Sequence, residues 1–392
     1  MLSHEAVQST TLFLSLQNNT ELDLRDTRGK IHNLPIVLVG LILGLLRKRD
    51  GNLSSIHRAM KNTHEDLMKV LKDRYDIDYQ KVISRSHLPI LLKKVCSETF
   101  SSLIFNQFGV VLTAEEKTWF AMDGKELRGT IQPGHTRGEA IVQAIGHKDK
   151  RAFCQGYYNG SKESEQPVVQ ELLRKKSLAS QGITIDALHF NPTTLSYIAQ
   201  HGGSYVVSLK GNQEEISKDM AAFIKVENAD FFYKKEEKGH GREECRIYYC
   251  KSVKNEYFDK RWNDSNITTV IMVKRTRYIK SEQKYSEEIS YYITNEKISS
   301  QAEAEAIFQH IRGHWSVEVN NHIRDVSFKE DDFQTKFKLV ARPFTLCRTL
   351  IINILQSQNI KNMVAIIDGF IDKFSLSIQF LIDVKVRLYR KR

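Results

Sequence analysis

Apolar positions recur at helical spacing from Leu34 to about Gln107, in Leu34–Leu46, Ser54–Met60, His64–Arg74 and Leu88–Phe105. In the last of these, Leu92, Cys96, Phe100 and Leu103 follow one another at steps of 4, 4 and 3, which is the stripe of a buried helix face. The pattern predicts an all-α amino-terminal domain over residues 1–110. The period then shortens. Thr118–Met122 (TWFAM), Ala140–Gly146 (AIVQAIG) and Ala152–Tyr158 (AFCQGYY) are short β-type runs parted by Gly-rich or charged turns, as in an antiparallel meander. A helix from Glu165 to Lys176, a strand Gly182–Ile185, a helix from Pro192 to His201 and a strand Ser204–Leu209 follow. From Phe231 to Asn295 the chain is β-rich and charged (CRIYYCKSV, NITTVIMVKRT, EEISYYIT); it reads as an insertion, about 228–298, that extends the sheet or forms a separate β lobe. A helix from Glu303 to Val326 comes next, then helices within about 340–392 and a basic tail of Arg387, Arg390, Lys391 and Arg392.

The order β-β-β-α-β-α-β predicts three antiparallel strands joined by two parallel ones through helical crossovers. The expected fold class is α/β: a ribonuclease-H-like catalytic core over 111–392 with a β-rich insertion, an all-α amino-terminal domain and a helical carboxy-terminal segment. In that topology Asp123 ends the first strand, Asp186 ends the fourth, and the two ends lie side by side.

Composition narrows the function. The chain has 392 residues with 58 Lys+Arg against 47 Asp+Glu, a net charge of +11; this favours a polyanionic partner, although solubility accounts for part of it. Five cysteines (Cys96, Cys154, Cys245, Cys250, Cys347) form no CxxC pair and read as reduced thiols. The longest apolar run, Leu34 to Leu46, is thirteen residues, short of the roughly 20 that span a bilayer. The amino terminus carries no signal-peptide pattern. A cytoplasmic protein with no membrane partner is expected.

The segment IRGHWSVEVNNHIRDVSF is the most informative. At 100° per residue, His314, Glu318, His322 and Asp325 fall within about 80° of one another on one helix face. Such a face is ordinarily just solvated, and an Asp at a strand end ordinarily caps a turn. Phosphoryl transfer on a DNA backbone, however, needs two divalent cations about 4 Å apart, and Mg²⁺ needs hard oxygen ligands. Asp123, Asp186 and Glu318 would be such a set, with Asp123 bridging and Mn²⁺ able to substitute. His314 and His322 are expected as hydrogen-bond partners of acids or phosphate, because imidazole suits Mg²⁺ poorly. Trp315 is expected mainly to pack in the core, with base stacking the lesser alternative. Candidate DNA contacts are Lys125 and Arg128 after the first Asp, Lys210, Asn212 and Gln213 after the last core strand, and His240 and Arg242 in a Gly-flanked loop. For these, plain surface charge or a β-turn is the competing reading.

DGKELRG (Asp123–Gly129), ITIDALH (Ile183–His189), YVVSLKGNQ (Tyr205–Gln213), KGHGREE (Lys238–Glu244), SYYIT (Ser290–Thr294) and IRGHWSVE with DVSFKED (Ile311–Glu318, Asp325–Asp331) together resemble the DDE transposases of bacterial insertion sequences, closest to the H-repeat-associated group. The resemblance implies that Asp123, Asp186 and Glu318 are the three catalytic acids, at intervals of 63 and 132 residues. It implies that residues 1–110 form a transposase-associated domain. It also implies double-stranded DNA partners (terminal inverted repeats and target), a homodimer on DNA, nucleoid association in a bacterial cytoplasm, and direct attack of a freed 3′-OH on target DNA. Lys162 and Glu165, in GSKESEQP, match a motif of that group for which the residues suggest no role beyond a helix cap at Ser161 or Ser164. The sequence departs from the group after Glu318, where Val319 follows and where Asn321 and Ile323 flank His322. A silent DNA-binding relative and a metal-dependent nuclease of the same fold are the alternatives.

Overall fold

The computed structural model describes residues 9–47, 51–112, 116–209, 220, 222–239, 241–254, 257–360, 362–383 and 385–387. The amino-terminal part holds a short strand β1 (Ser9–Thr11) and helices α1 (Leu12–Gln17), α2 (Leu34–Arg47), α3 (Leu53–Tyr75), α4 (His87–Leu92) and α5 (Ser97–Phe108). The thirteen-residue apolar run is α2, whose residues from Ile36 to Leu46 are all buried, as expected of a helix that is apolar all round. Its neighbour α3 is amphipathic, burying Ile56, Met60, Leu67 and Leu71, and is capped by the Asn52 side chain. Gly44 lets the two approach: a Cβ there would stand 3.0 Å from the Ile56 carbonyl oxygen. No described helix is long and apolar enough to cross a membrane. All five cysteines are unpaired thiols.

Among the described residues, nine strands form the central sheet: β2 (Trp119–Glu126), β3 (Ala140–Gly146), β4 (Ala152–Tyr158), β5 (Gly182–Ile185), β6 (Ser204–Leu209), β7 (Phe231–Gly239), β8 (Arg242–Ser252), β9 (Thr269–Ile279) and β10 (Lys284–Thr294). Their spatial order is β4-β3-β2-β5-β6-β10-β9-β8-β7. The β2–β3–β4 meander is antiparallel. β5 pairs parallel with both β2 and β6, reached through α6 (Lys162–Lys175) and α7 (Pro192–Gln200). β5 is buried at every position, as a central parallel strand covered on both faces must be. Of the two forms expected for residues 228–298, the sheet extension is the one found: β10 adds to β6 with Tyr291 opposite Leu209, and β9, β8 and β7 continue outward.

After the sheet come α8 (Gln301–Gly313), α9 (Trp315–His322), a π-turn at Ile323–Ser327, α10 (Lys338–Ser357), α11 (Met363–Asp372), α12 (Phe374–Asp383) and β11 (Lys385–Arg387), which pairs with β1. Strand alternation divides the apolar contacts between the faces of the sheet. Phe120 and Met122 of β2 join a core with Val169 and Leu173 of α6 and Leu195 and Ile198 of α7. Ala121, between them, joins another core, with Val317 of α9, most of α2 and the apolar face of α10. The helices before residue 110 and those after 340 therefore contribute to one hydrophobic core.

Candidate active site

The register of the parallel pair sets the site. Phe120 lies opposite Ile183 and Ala121 opposite Thr184; two residues further along the same register, Asp123 stands level with Asp186. β2 itself does not end at Asp123. It runs on to Glu126, paired with β3 through Gly124, Lys125 and Glu126, so Asp123 lies just past the last β2–β5 pair, Ala121 with Thr184. Asp186 opens the 3₁₀ turn Ala187–His189 and accepts a hydrogen bond from the Leu188 amide at 2.9 Å. It is both the cap that a strand-end Asp suggests and a wall of the cavity described next.

Glu318 comes to this place on α9, which packs across β2 and β3. Val317 buries completely beneath it while Glu318 is exposed. A cavity of about 810 Å³ is lined by Asp123, Asp186 and Glu318, with Thr184, His314 and Trp315 beside them. Arg246 of β8, Arg275 of β9 and Arg312 of α8 line the same cavity. Arg246 and Arg275 are held by Glu244, the latter at 2.9 Å, and the Arg312 guanidinium lies 4.9 Å from the centre of the Trp315 ring. Burial, then the negative charges of Glu165 and Asp186, push the Asp123 carboxyl up to about 7, against the opposing pull of the Gly124 amide and His189. A divalent cation would relieve that repulsion, and the oxygen donors suit a hard ion. Among the described residues, no three His, Cys, Asp or Glu side chains stand close enough together to hold a metal ion as they are.

The other expected site residues scatter. His314 joins the cavity, hydrogen-bonded through Nδ1 to Thr184 Oγ1 at 3.2 Å; Thr184 also meets His147 Nε2 at 3.0 Å. Burial pushes His147 down to about 3, so it stays neutral at physiological pH. Trp315 is not core packing as expected: it is 40% exposed at the cavity. His322 is exposed and does not line the cavity. Asp325 turns away to Lys125, with Nζ to Oδ1 at 2.7 Å. The helix breaks at His314 and widens into the π-turn after His322, so a constant 100° per residue does not carry one face from His314 to Asp325. Lys125 is only 8% exposed and also pairs with Asp331 at 3.1 Å; as a DNA contact it is corrected to an internal cation. Arg128 stays exposed, 3.8 Å from Asp331, and Arg242 is exposed at the start of β8. Lys210, Asn212, Gln213 and His240 lie outside the described residues.

Sequence reasoning missed the three arginines. For Arg246 and Arg275 the signal was the alternation in RIYYC and VKRTR, which gives faces but not which face meets the acids; Arg312 stands in the IRGHWSVE segment itself. Ser161 does cap α6, accepting from the Ser164 amide.

No protein-family profile matches the chain. It is 27% identical over 347 residues to the "H repeat-associated putative transposase YhhI" of Escherichia coli K12, covering 86% of this chain and 89% of that protein. It is 27% identical over 307 residues to the "Putative protein YbfL" of the same strain, covering 76% of this chain and 79% of that protein. A "Putative transposase YncI" of Escherichia coli O157:H7 is 26% identical over 244 residues, 60% of this chain and 61% of that one. By sequence, the chain is a homologue of the proteins that carry the H repeat-associated transposase name.

Proposed function

We propose that the chain is a DDE-type DNA transposase that cuts the ends of an insertion sequence and joins the freed 3′-OH ends to target DNA. One observation carries the reading: three carboxylates far apart in sequence line one cavity together with three arginines. The strand order β4-β3-β2-β5-β6 with a parallel β2–β5–β6 supports a ribonuclease-H-like core. Asp123, Asp186 and Glu318 would hold Mg²⁺ or Mn²⁺, which supplies activation of the attacking oxygen and charge stabilisation at the leaving oxygen. Arg246, Arg275 and Arg312 then hold the strand's phosphates by charge-assisted hydrogen bonds. The exposed Trp315 ring offers a stacking surface to a base. Arg128 and Arg242 extend the basic track over the surface, within a net charge of +11. Two element ends must meet, so a homodimer on DNA is part of the proposal.

A second reading, DNA binding without cutting, is favoured by two observations: the three acids do not form a ready-made metal cage, and an exposed Val319 follows Glu318. The test incubates purified protein with a DNA end taken from the inverted repeats flanking the gene, in Mg²⁺ or EDTA, beside Asp123→Ala and Glu318→Gln. Strand joining that disappears with EDTA and falls at least about 10³-fold in either variant is the expected outcome. Binding with no metal-dependent cutting would establish the second reading, and cutting without joining would indicate a nuclease.

A further inference from the structure

The motif around Glu165, left without a role by the sequence, sits directly behind the acidic pair. Glu165 is on the first turn of α6 and is only 7% exposed. Its two oxygens are each engaged by a different element. Tyr158, the last residue of β4, donates its hydroxyl to Oε2 at 2.8 Å. His189, at the end of the turn that Asp186 opens, meets Oε1 through Nε2 at 3.0 Å. The carboxyl also lies against the peptide that follows Asp123: a Cβ on Gly124 would stand 2.5 Å from Glu165 Oε2. One buried side chain thus touches the Asp123 strand, the Asp186 turn and the end of β4.

Buried polar groups in such a network are held by their partners, and an anion beside two carboxylates costs stability unless a positive charge answers it. A divalent cation held by Asp123 and Asp186 would answer all three negative charges at once. We infer that Glu165 is a positioning residue of the candidate active site: it fixes the spacing of the Asp123 and Asp186 strand ends, and its negative charge strengthens their hold on a divalent cation. The inference rests on the proposed metal-dependent reading of the cavity.

The experiment measures Mn²⁺ affinity of the full chain by electron paramagnetic resonance, beside the melting temperature in EDTA, for wild type, Asp123→Asn, Glu165→Gln and Tyr158→Phe. Loss of an outer partner of a metal ligand typically weakens binding 10- to 100-fold. Glu165→Gln is expected to lose about tenfold in Mn²⁺ affinity, and Tyr158→Phe several-fold, with no fall in the EDTA melting temperature; a purely structural role would lower the melting temperature and leave the affinity unchanged. Wild-type affinity in both variants, while Asp123→Asn loses binding, overturns the role of Glu165 alone. Should Glu165→Gln fail to fold, Tyr158→Phe decides by the same criterion. A wild-type chain with no Mn²⁺ site that depends on Asp123 overturns the metal-dependent reading, and this inference with it.

Discussion

Asp123 is placed where a charge is costly. Its carboxyl is pushed from the ordinary 3.8 up to about 7, first by burial and then by Glu165 and Asp186. Between those two values the folded chain holds a proton that the unfolded chain has released, so folding stability falls as pH rises from about 4 to 7 and stays lowered above that. Asp123→Asn removes the charge and keeps the shape. In EDTA at pH 8 it is expected to raise the melting temperature by at least about 2 °C, with the gain shrinking toward nothing near pH 4. Calorimetry at the two pH values checks this, and an unchanged melting temperature at pH 8 would contradict it. A site that destabilises its own fold is the usual mark of a residue kept for function.

At the scale of elements, the sequence was legible wherever local pattern decides. Short β-type runs between turn residues marked the strands, and Asp123 and Asp186 could be placed side by side in advance because a parallel crossover leaves little freedom in how β2 and β5 meet. It was illegible wherever partners are remote. Nothing near Lys125 announces Asp331, and nothing near Arg275 announces that β9 faces the acids, because both depend on the register of distant segments. The π-turn after α9 is the clearest case. Arg324 within it is fully buried and pairs with Glu330 at 2.9 Å, while Arg348 of α10 lies 3.7 Å from the same carboxylate. The two guanidiniums and the fully buried carboxylate hold the turn, and Arg324 also donates to Gln143 of β3 at 3.2 Å. Removing one partner of a buried pair strands the other, at about 3–5 kcal/mol. Glu330→Gln should therefore cost that amount in urea denaturation; a loss below about 1 kcal/mol would show the turn is held by something else.

Across the whole molecule, the shared core of early and late helices governs how the protein comes into being. α2 packs against α10, α11 and α12. A ribosome adding about 5–20 residues per second takes on the order of 15–60 s to make the roughly 300 residues between α2 and α10. Through that interval an entirely apolar helix has no cover from the end of the chain. A gene truncated after Thr335 is expected to give a product that pellets on lysis and binds hydrophobic dyes, checked by solubility against the full chain; a soluble, cooperatively melting fragment would contradict this. Completing synthesis thus becomes a quality gate, so that interrupted copies yield no stable fragment alongside the intact protein.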